Sequence, residues 1–216
     1  MNFLSHAARY LDRPYVVAGT AVPDWLSVVD RKIRVRSRHA LPLLHSDDPI
    51  TRQVALGITH HHRDDQWFHG SRLFNETTLQ FALQLRDQLP GDEGFRPSFL
   101  GHILIEILID ATLMERDPSL AERYYAAIEA VSAEDVQAVV NRVAGSGTDQ
   151  LAPLILRFAQ ARFLYDYLDD DKLLMRLNQV MVRVGLPSLS SDLMPWFAEA
   201  RRVVEVRCDE LLTPST

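Results

Sequence analysis

Between Phe99 and Met114 the chain reads FLGHILIEILIDATLM, an apolar run that carries a histidine and two carboxylates at 102, 106 and 110. Residues four apart lie one above another on a helix, so His102, Glu106 and Asp110 form one narrow column among isoleucines and leucines. A carboxylate buried alone is costly or turns neutral, so the column needs a partner. No lysine or arginine falls within the run before Arg116. A divalent cation would offset the penalty for several ligands together. The other reading is a surface helix whose wet side is this stripe.

A second column supports the metal. In GITHHHRDDQWFH (57–69), His61 and Asp65 repeat the four-residue spacing, with His62, Asp64 and His69 close by. Consecutive residues on a helix point in different directions, so only some of HHHRDD can bind one ion, and His61 with Asp65 is the favoured pair. Seven of the eight histidines lie at or before position 69, and the eighth is His102. Two helices that each offer His-x-x-x-carboxylate can supply nitrogen and oxygen to one or two ions. That mixed set suits manganese, iron or zinc better than calcium, and the lack of cysteine ligands argues against a closed structural zinc site. His6, in MNFLSHAARYL, and Asp24, just after Pro23, are further candidates. On its own residues His6 reads more readily as a partly buried structural histidine than as a ligand, and Asp24 reads equally well as the cap of a short helix.

These side chains need helices to hold them, and helix signals dominate the sequence. Asp48-Pro49 and Asp117-Pro118 read as an N-cap followed by a first-turn proline, and SAED (132–135) resembles a capping box. Gly185 followed by Pro187 reads as a helix stop, while PGDEGFRP (90–97), GSGT (145–148) and LPSLSS (186–191) read as connections. Apolar spacings of three and four recur in LQFALQLRDQL, DVQAVVNRV, LILRFAQARFLYDYL and KLLMRLNQVMVRV. About seven helices are expected from residue 49 onward. Before them come short helices around 2–11 and 22–30 and an irregular basic segment. The expected fold class is all-α, in a single domain spanning 1–216. The metal-site half covers about 1–116, and helices over about 117–212 complete the bundle.

Composition sets the outer limits. With 216 residues, 47% of them apolar and 24% charged, the chain can bury a sizeable core. A net charge of −6 argues against a general affinity for nucleic acid or anionic membrane, with RKIRVRSRH (31–39) a local basic exception. A single cysteine, Cys208, fits a reducing compartment, and the cytoplasm is the default expectation. The N-terminus does not read as a signal peptide. The 99–114 run is shorter than the roughly 20 apolar residues a membrane span needs, so it reads as an internal helix.

MNFLSH at the start, GTAVPDW (19–25), GITHHHRDD (57–65) and ILIEILID (103–110) stand in the order and rough spacing of motifs of the acyl carrier protein phosphodiesterase family. The chain resembles that family over about its first 115 residues. The resemblance implies an HD-like helical, metal-dependent phosphohydrolase, with manganese the favoured ion, that releases 4'-phosphopantetheine from holo acyl carrier protein. It places the family's metal-binding histidines and acids on His6, Asp24, His61, Asp65, Glu106 and Asp110. The chain departs from the pattern at several points. His62 and Arg63 stand where the family has two arginines, Ala111 follows Asp110 where a histidine is usual, and His102 replaces a small residue. WFHGSRLF also replaces the family's TDSHP.

The leading expectation is therefore hydrolysis of a phosphoric ester by metal held among His6, Asp24, His61, Asp65, His102, Glu106 and Asp110. Asp65 and Arg63 are the expected catalytic residues. One carboxylate would orient a water, and Arg63 or Arg72 would neutralise phosphate charge. The basic run from Arg31 to Arg38 would dock an acidic partner such as an acyl carrier protein, or serve only as a solvated loop. A zinc phospholipase C or nuclease type of site is the second reading, which His102 with Glu106 fits better. The third is a non-catalytic helical metal-binding or interaction protein.

Overall fold

The computed structural model describes residues 1–88 and 97–214, so the connection expected at 90–97 lies outside the described residues except for Pro97, which opens a helix. Among the described residues there is no strand, and the all-α expectation holds. The helices are α1 (Phe3–Ala7), α2 (Pro14–Val29), α3 (Ser37–Ala40), α4 (Pro49–Gly70), α5 (Arg72–Gln88), α6 (Pro97–Arg116), α7 (Leu120–Glu129), α8 (Ala133–Ala144), α9 (Leu151–Ala161), α10 (Asp170–Arg183) and α11 (Met194–Leu211). Short 3-10 segments occupy Leu41–His45, Phe163–Leu168 and Ser191–Leu193.

Local chemistry explains most of the boundaries. The Asp48 carboxylate accepts from the backbone N–H groups of Ile50 and Thr51, which caps α4 ahead of Pro49. Ser132 accepts from Asp135 N at 3.1 Å and Asp169 from Lys172 N at 3.0 Å, so α8 and α10 start on side-chain caps too. Gly145 and Gly185 adopt φ of 67° and 76° just past α8 and α10, a conformation glycine takes without penalty.

Several boundaries differ from the sequence reading, among them that of α1, which ends at Ala7. Helix α2 begins at Pro14 and runs through Pro23, which the sequence suggested as a start. Pro23 removes one backbone donor, but Val16, Val17, Ala18, Ala21, Val22, Trp25 and Leu26 are all buried, and that packing outweighs the lost bond. Asp24 is consequently a mid-helix residue and not a cap. Helix α7 starts at Leu120, after a turn at Pro118 and Ser119. LILRFAQARFLYDYL is broken at Arg162, whose φ of 44° ends α9 before the 3-10 segment.

The residues group into two compact units. The first holds Met1, residues 3–66 and residues 118–162, with a core of α1, α2, α7 and α9 around Phe158. The ring of Phe158 lies 4.9 Å from Phe3 and 5.3 Å from Trp25. The second unit holds Asn2, residues 67–117 and residues 163–214, in which α6 packs against α5 and α11. Helix α6 is long and apolar enough to cross a membrane by length and composition, yet Leu100, Leu104, Ile105, Leu108 and Ile109 are nearly inaccessible. Helix α4 contributes to the first unit as far as Gln66 and to the second from Trp67 on.

Candidate functional site

The placement of the first candidate group begins with a glycine pair. Helix α2 approaches α4 where Gly19 faces Gly57, so closely that a β-carbon on Gly57 would lie 2.2 Å from the Val16 carbonyl oxygen. Only two glycines allow backbones to meet at that distance. Along α4 the buried face runs through Val54, Ala55 and Ile58, and then meets His61 and Asp64 at positions the helical period assigns to the core. The glycine contact brings the Thr20 carbonyl within 2.9 Å of His61 Nδ1.

That contact decides the state of the His61 ring. A carbonyl oxygen can only accept, so Nδ1 carries the proton and, in the neutral ring, Nε2 carries the lone pair. Nε2 lies 3.2 Å from Asp65 Oδ2, one turn along the helix. Two acceptors face each other at that distance only if a cation, either a proton or a metal ion, sits with them. Imidazoles that bind metals are commonly held this way, by a hydrogen bond from the far nitrogen.

His6 completes the group from α1. Its Nε2 lies 3.2 Å from Asp65 Oδ1, its Nδ1 3.9 Å from Asp64 Oδ2, and its ring centroid 4.3 Å from that of His61. The residue is 2% exposed, and neither ring nitrogen makes a hydrogen bond of good geometry. The contacts with Asp64 and Asp65 are thus ionic in character. Burial works against a charge on His6, but the two carboxylates outweigh it and raise its pKa. Burial alone would raise that of Asp65, yet contacts with His6 and His61 and the charge of the Met1 α-ammonium, 2.9 Å from Oδ1, hold it well below the carboxylate range.

The second group lies in the second unit. His69 Nε2 and His102 Nε2 converge on one oxygen of Glu106, at 2.8 and 3.3 Å, with ring centroids 4.7 Å apart. Phe74 packs edge-on against His102 with centroids 4.9 Å apart, which fixes the ring. Burial pushes the Glu106 carboxyl upward, and nearby positive charge with the two imidazole contacts overturns that and holds it low. The side chains of His69 and His102 are about one-third exposed, so this group is more open than the first.

In each group the ligand atoms lie within 4.8 Å of one another. No protein-family model, curated protein or solved structure matches this chain. The site is therefore argued from its own atoms. Each group offers two imidazoles and one carboxylate, a donor set suited to manganese, iron or zinc, and the atoms of His6, His61 and Asp65 fit such an ion.

Of the residues expected from the sequence, the structure assembles His6, His61 and Asp65 in one group and His102 and Glu106 in the other. Asp24, half-buried in α2, and Asp110, fully buried in α6, join neither. Four residues of helix turn through about 400°, so a column drifts by about 40° per step, and Asp110 has drifted about 80° from His102. Arg63 lies 3.2 Å from Asp64 Oδ1 and 2.7 Å from His60 Nδ1, and Arg72 is held by Glu76 at 2.6 Å. His69 and Asp64 add to the expected set. His69 follows Asp65 by four residues on the same helix, and Asp64 lies on the buried stripe of α4, so spacing held a signal for both.

Proposed function

We propose that this chain is a metal-dependent phosphohydrolase acting on phosphodiesters, built as an HD-like helical protein and resembling the acyl carrier protein phosphodiesterase family in activity. The observation that carries the reading is the opposed pair His61 Nε2 and Asp65 Oδ2, 3.2 Å apart, with His61 Nδ1 already committed to Thr20. The pair, closed off by a buried His6 that lacks a good hydrogen bond, demands a cation. Three ligands leave positions for water and substrate, as hydrolytic centres require.

His6, His61 and Asp65 would hold the ion, which supplies Lewis-acid polarisation of a phosphoryl oxygen and eases ionisation of water. The chain's own groups then have separate tasks. Thr20 holds the His61 ring in its tautomer. Asp64 bridges between His6 and the exposed guanidinium of Arg63. Arg63, exposed and paired with Asp64, would neutralise phosphate charge, a role bidentate pairing suits. Substrate would exchange for the Asp64 and His60 contacts that now hold Arg63. In this reading the substrate is a phosphodiester such as that of holo acyl carrier protein.

A second reading draws on His69, His102 and Glu106. Two imidazoles and a glutamate form a donor set used by zinc hydrolases, which favours a zinc phospholipase or nuclease type of chemistry there. One experiment addresses both readings. Elemental analysis of the purified protein is set beside a His61→Ala, Asp65→Ala double variant and a His69→Ala, His102→Ala double variant, each assayed on bis-p-nitrophenyl phosphate and on holo carrier protein. Loss of manganese, iron or zinc together with turnover in the first variant supports the main reading, and the same loss in the second variant alone supports the other. Absence of metal and of binding on titration in the wild-type protein would sink both.

A further inference from the structure

After α2 the chain returns through residues 30–36 as an irregular segment. Ile33 and Val35 are buried while Arg34 and Arg36 are exposed. Successive side chains of an extended segment point to opposite sides, so the two apolar residues anchor the segment and turn both arginines to its open side. His62 Nε2 donates to the Val35 carbonyl at 2.5 Å and ties the segment to α4.

The result is a cavity of about 380 Å³ in the first unit, with Arg34, Arg36 and His62 among its polar lining and Pro23, Leu26, Ile33 and Val35 as its apolar part. Its lining includes no carboxylate. Among the described residues neither the Arg34 nor the Arg36 side chain has a hydrogen bond or ion pair. Two unpaired guanidinium groups on one concave wall form a receptor for an anion. His62, on the wall of this cavity, has its ring centroid 5.3 Å from that of His61 in the first ligand group.

We propose that this cavity is a phosphate subsite, which takes a second phosphate of a small substrate whose phosphodiester reaches the group of His6, His61 and Asp65. The anion binding stands on the cavity alone. That both phosphates belong to one substrate rests on the hydrolase reading. A compact tetrahedral anion enters a concave pocket and meets two forked donors, whereas the acidic face of a protein would lie across it.

The test is calorimetric titration of the metal-free 216-residue chain with pyrophosphate. An Arg34→Gln, Arg36→Gln double variant and the His61→Ala, Asp65→Ala double variant are titrated beside it. Both arginines are exposed, and thermal unfolding checks that their replacement leaves the fold intact. Saturable binding is expected in the wild type, about tenfold or more weaker without the arginines and unchanged in the metal-ligand variant. The proposal is overturned by no saturable binding, by equal binding in the arginine variant, or by loss confined to the metal-ligand variant. It is also overturned if holo carrier protein, and not pyrophosphate, is what depends on Arg34 and Arg36. Failure of the hydrolase reading, seen as absence of metal and turnover, leaves this result readable on its own.

Discussion

The Nδ1 atom of His61 lies 2.9 Å from the carbonyl oxygen of Thr20, and the contact between Gly19 and Gly57 is what allows it. A β-carbon on Gly57 would meet the Val16 carbonyl oxygen at 2.2 Å and Gly19 Cα at 2.7 Å, all backbone atoms that no rotamer change can move. Gly57→Ala is therefore expected to cost about 3 kcal/mol or more, at the upper end for overpacking. The same displacement draws Thr20 away from His61, so metal affinity should fall by about tenfold or more. Urea unfolding and metal titration measure the two effects. Gly70→Ala, where a β-carbon meets nothing within 4 Å, is the control and should leave stability unchanged or slightly higher.

Asp110 and Glu106 share a helix and differ in task. Asp110 is fully buried yet outside both ligand groups, so Asp110→Ala should lower stability by about 1–3 kcal/mol, as loss of a buried polar group does, with metal content unchanged. Glu106→Ala should leave the ion at His6, His61 and Asp65 in place and, on the second reading, abolish metal binding with His69 and His102. Elemental analysis of the two variants decides the point, and metal loss in Asp110→Ala would return that residue to the ligand set.

Legibility in the sequence followed the range of the interaction. Caps are local chemistry, so Asp48, Ser132 and the stop at Gly185 could be read directly. The four-residue columns were also readable, and they led to His61 with Asp65 and His102 with Glu106. Pro23 misled because helix propensity is local, while α2 is held by tertiary burial of Val16 to Leu26. Arg162 misled because its left-handed turn leaves no periodic trace. The pairing of His69 with His102 depends on which elements meet. Nothing in the spacing of a single element encodes that.

Cys208 offers a probe of the second unit. Its thiol is inaccessible on α11, and burial pushes its pKa up to about 11. Ellman's reagent at about pH 8 should thus react slowly with the native protein and fully in denaturant, since the thiolate is the nucleophile. Rapid stoichiometric reaction without denaturant would contradict this packing of α11.

Stability and metal binding should respond to pH in opposite ways. The pKa of His6 is raised, because Asp64 and Asp65 outweigh the opposing effect of burial. A raised folded-state value contributes stability that is fully present below the unfolded value and is lost as pH rises through the folded one. Asp65 is depressed, so its contribution is present above the unfolded carboxylate value and is lost as pH falls toward the folded one. The metal-free protein should therefore have its highest Tm between roughly pH 4 and pH 6.5, as far as these two groups decide it. A divalent cation competes with the His6 proton, so the gain in Tm from manganese or zinc over chelator should grow from about pH 6 to about pH 8. Thermal unfolding with and without metal across that range gives the answer. A gain that is flat or shrinks with rising pH would remove His6 as a ligand and leave His61 and Asp65 to bind without it.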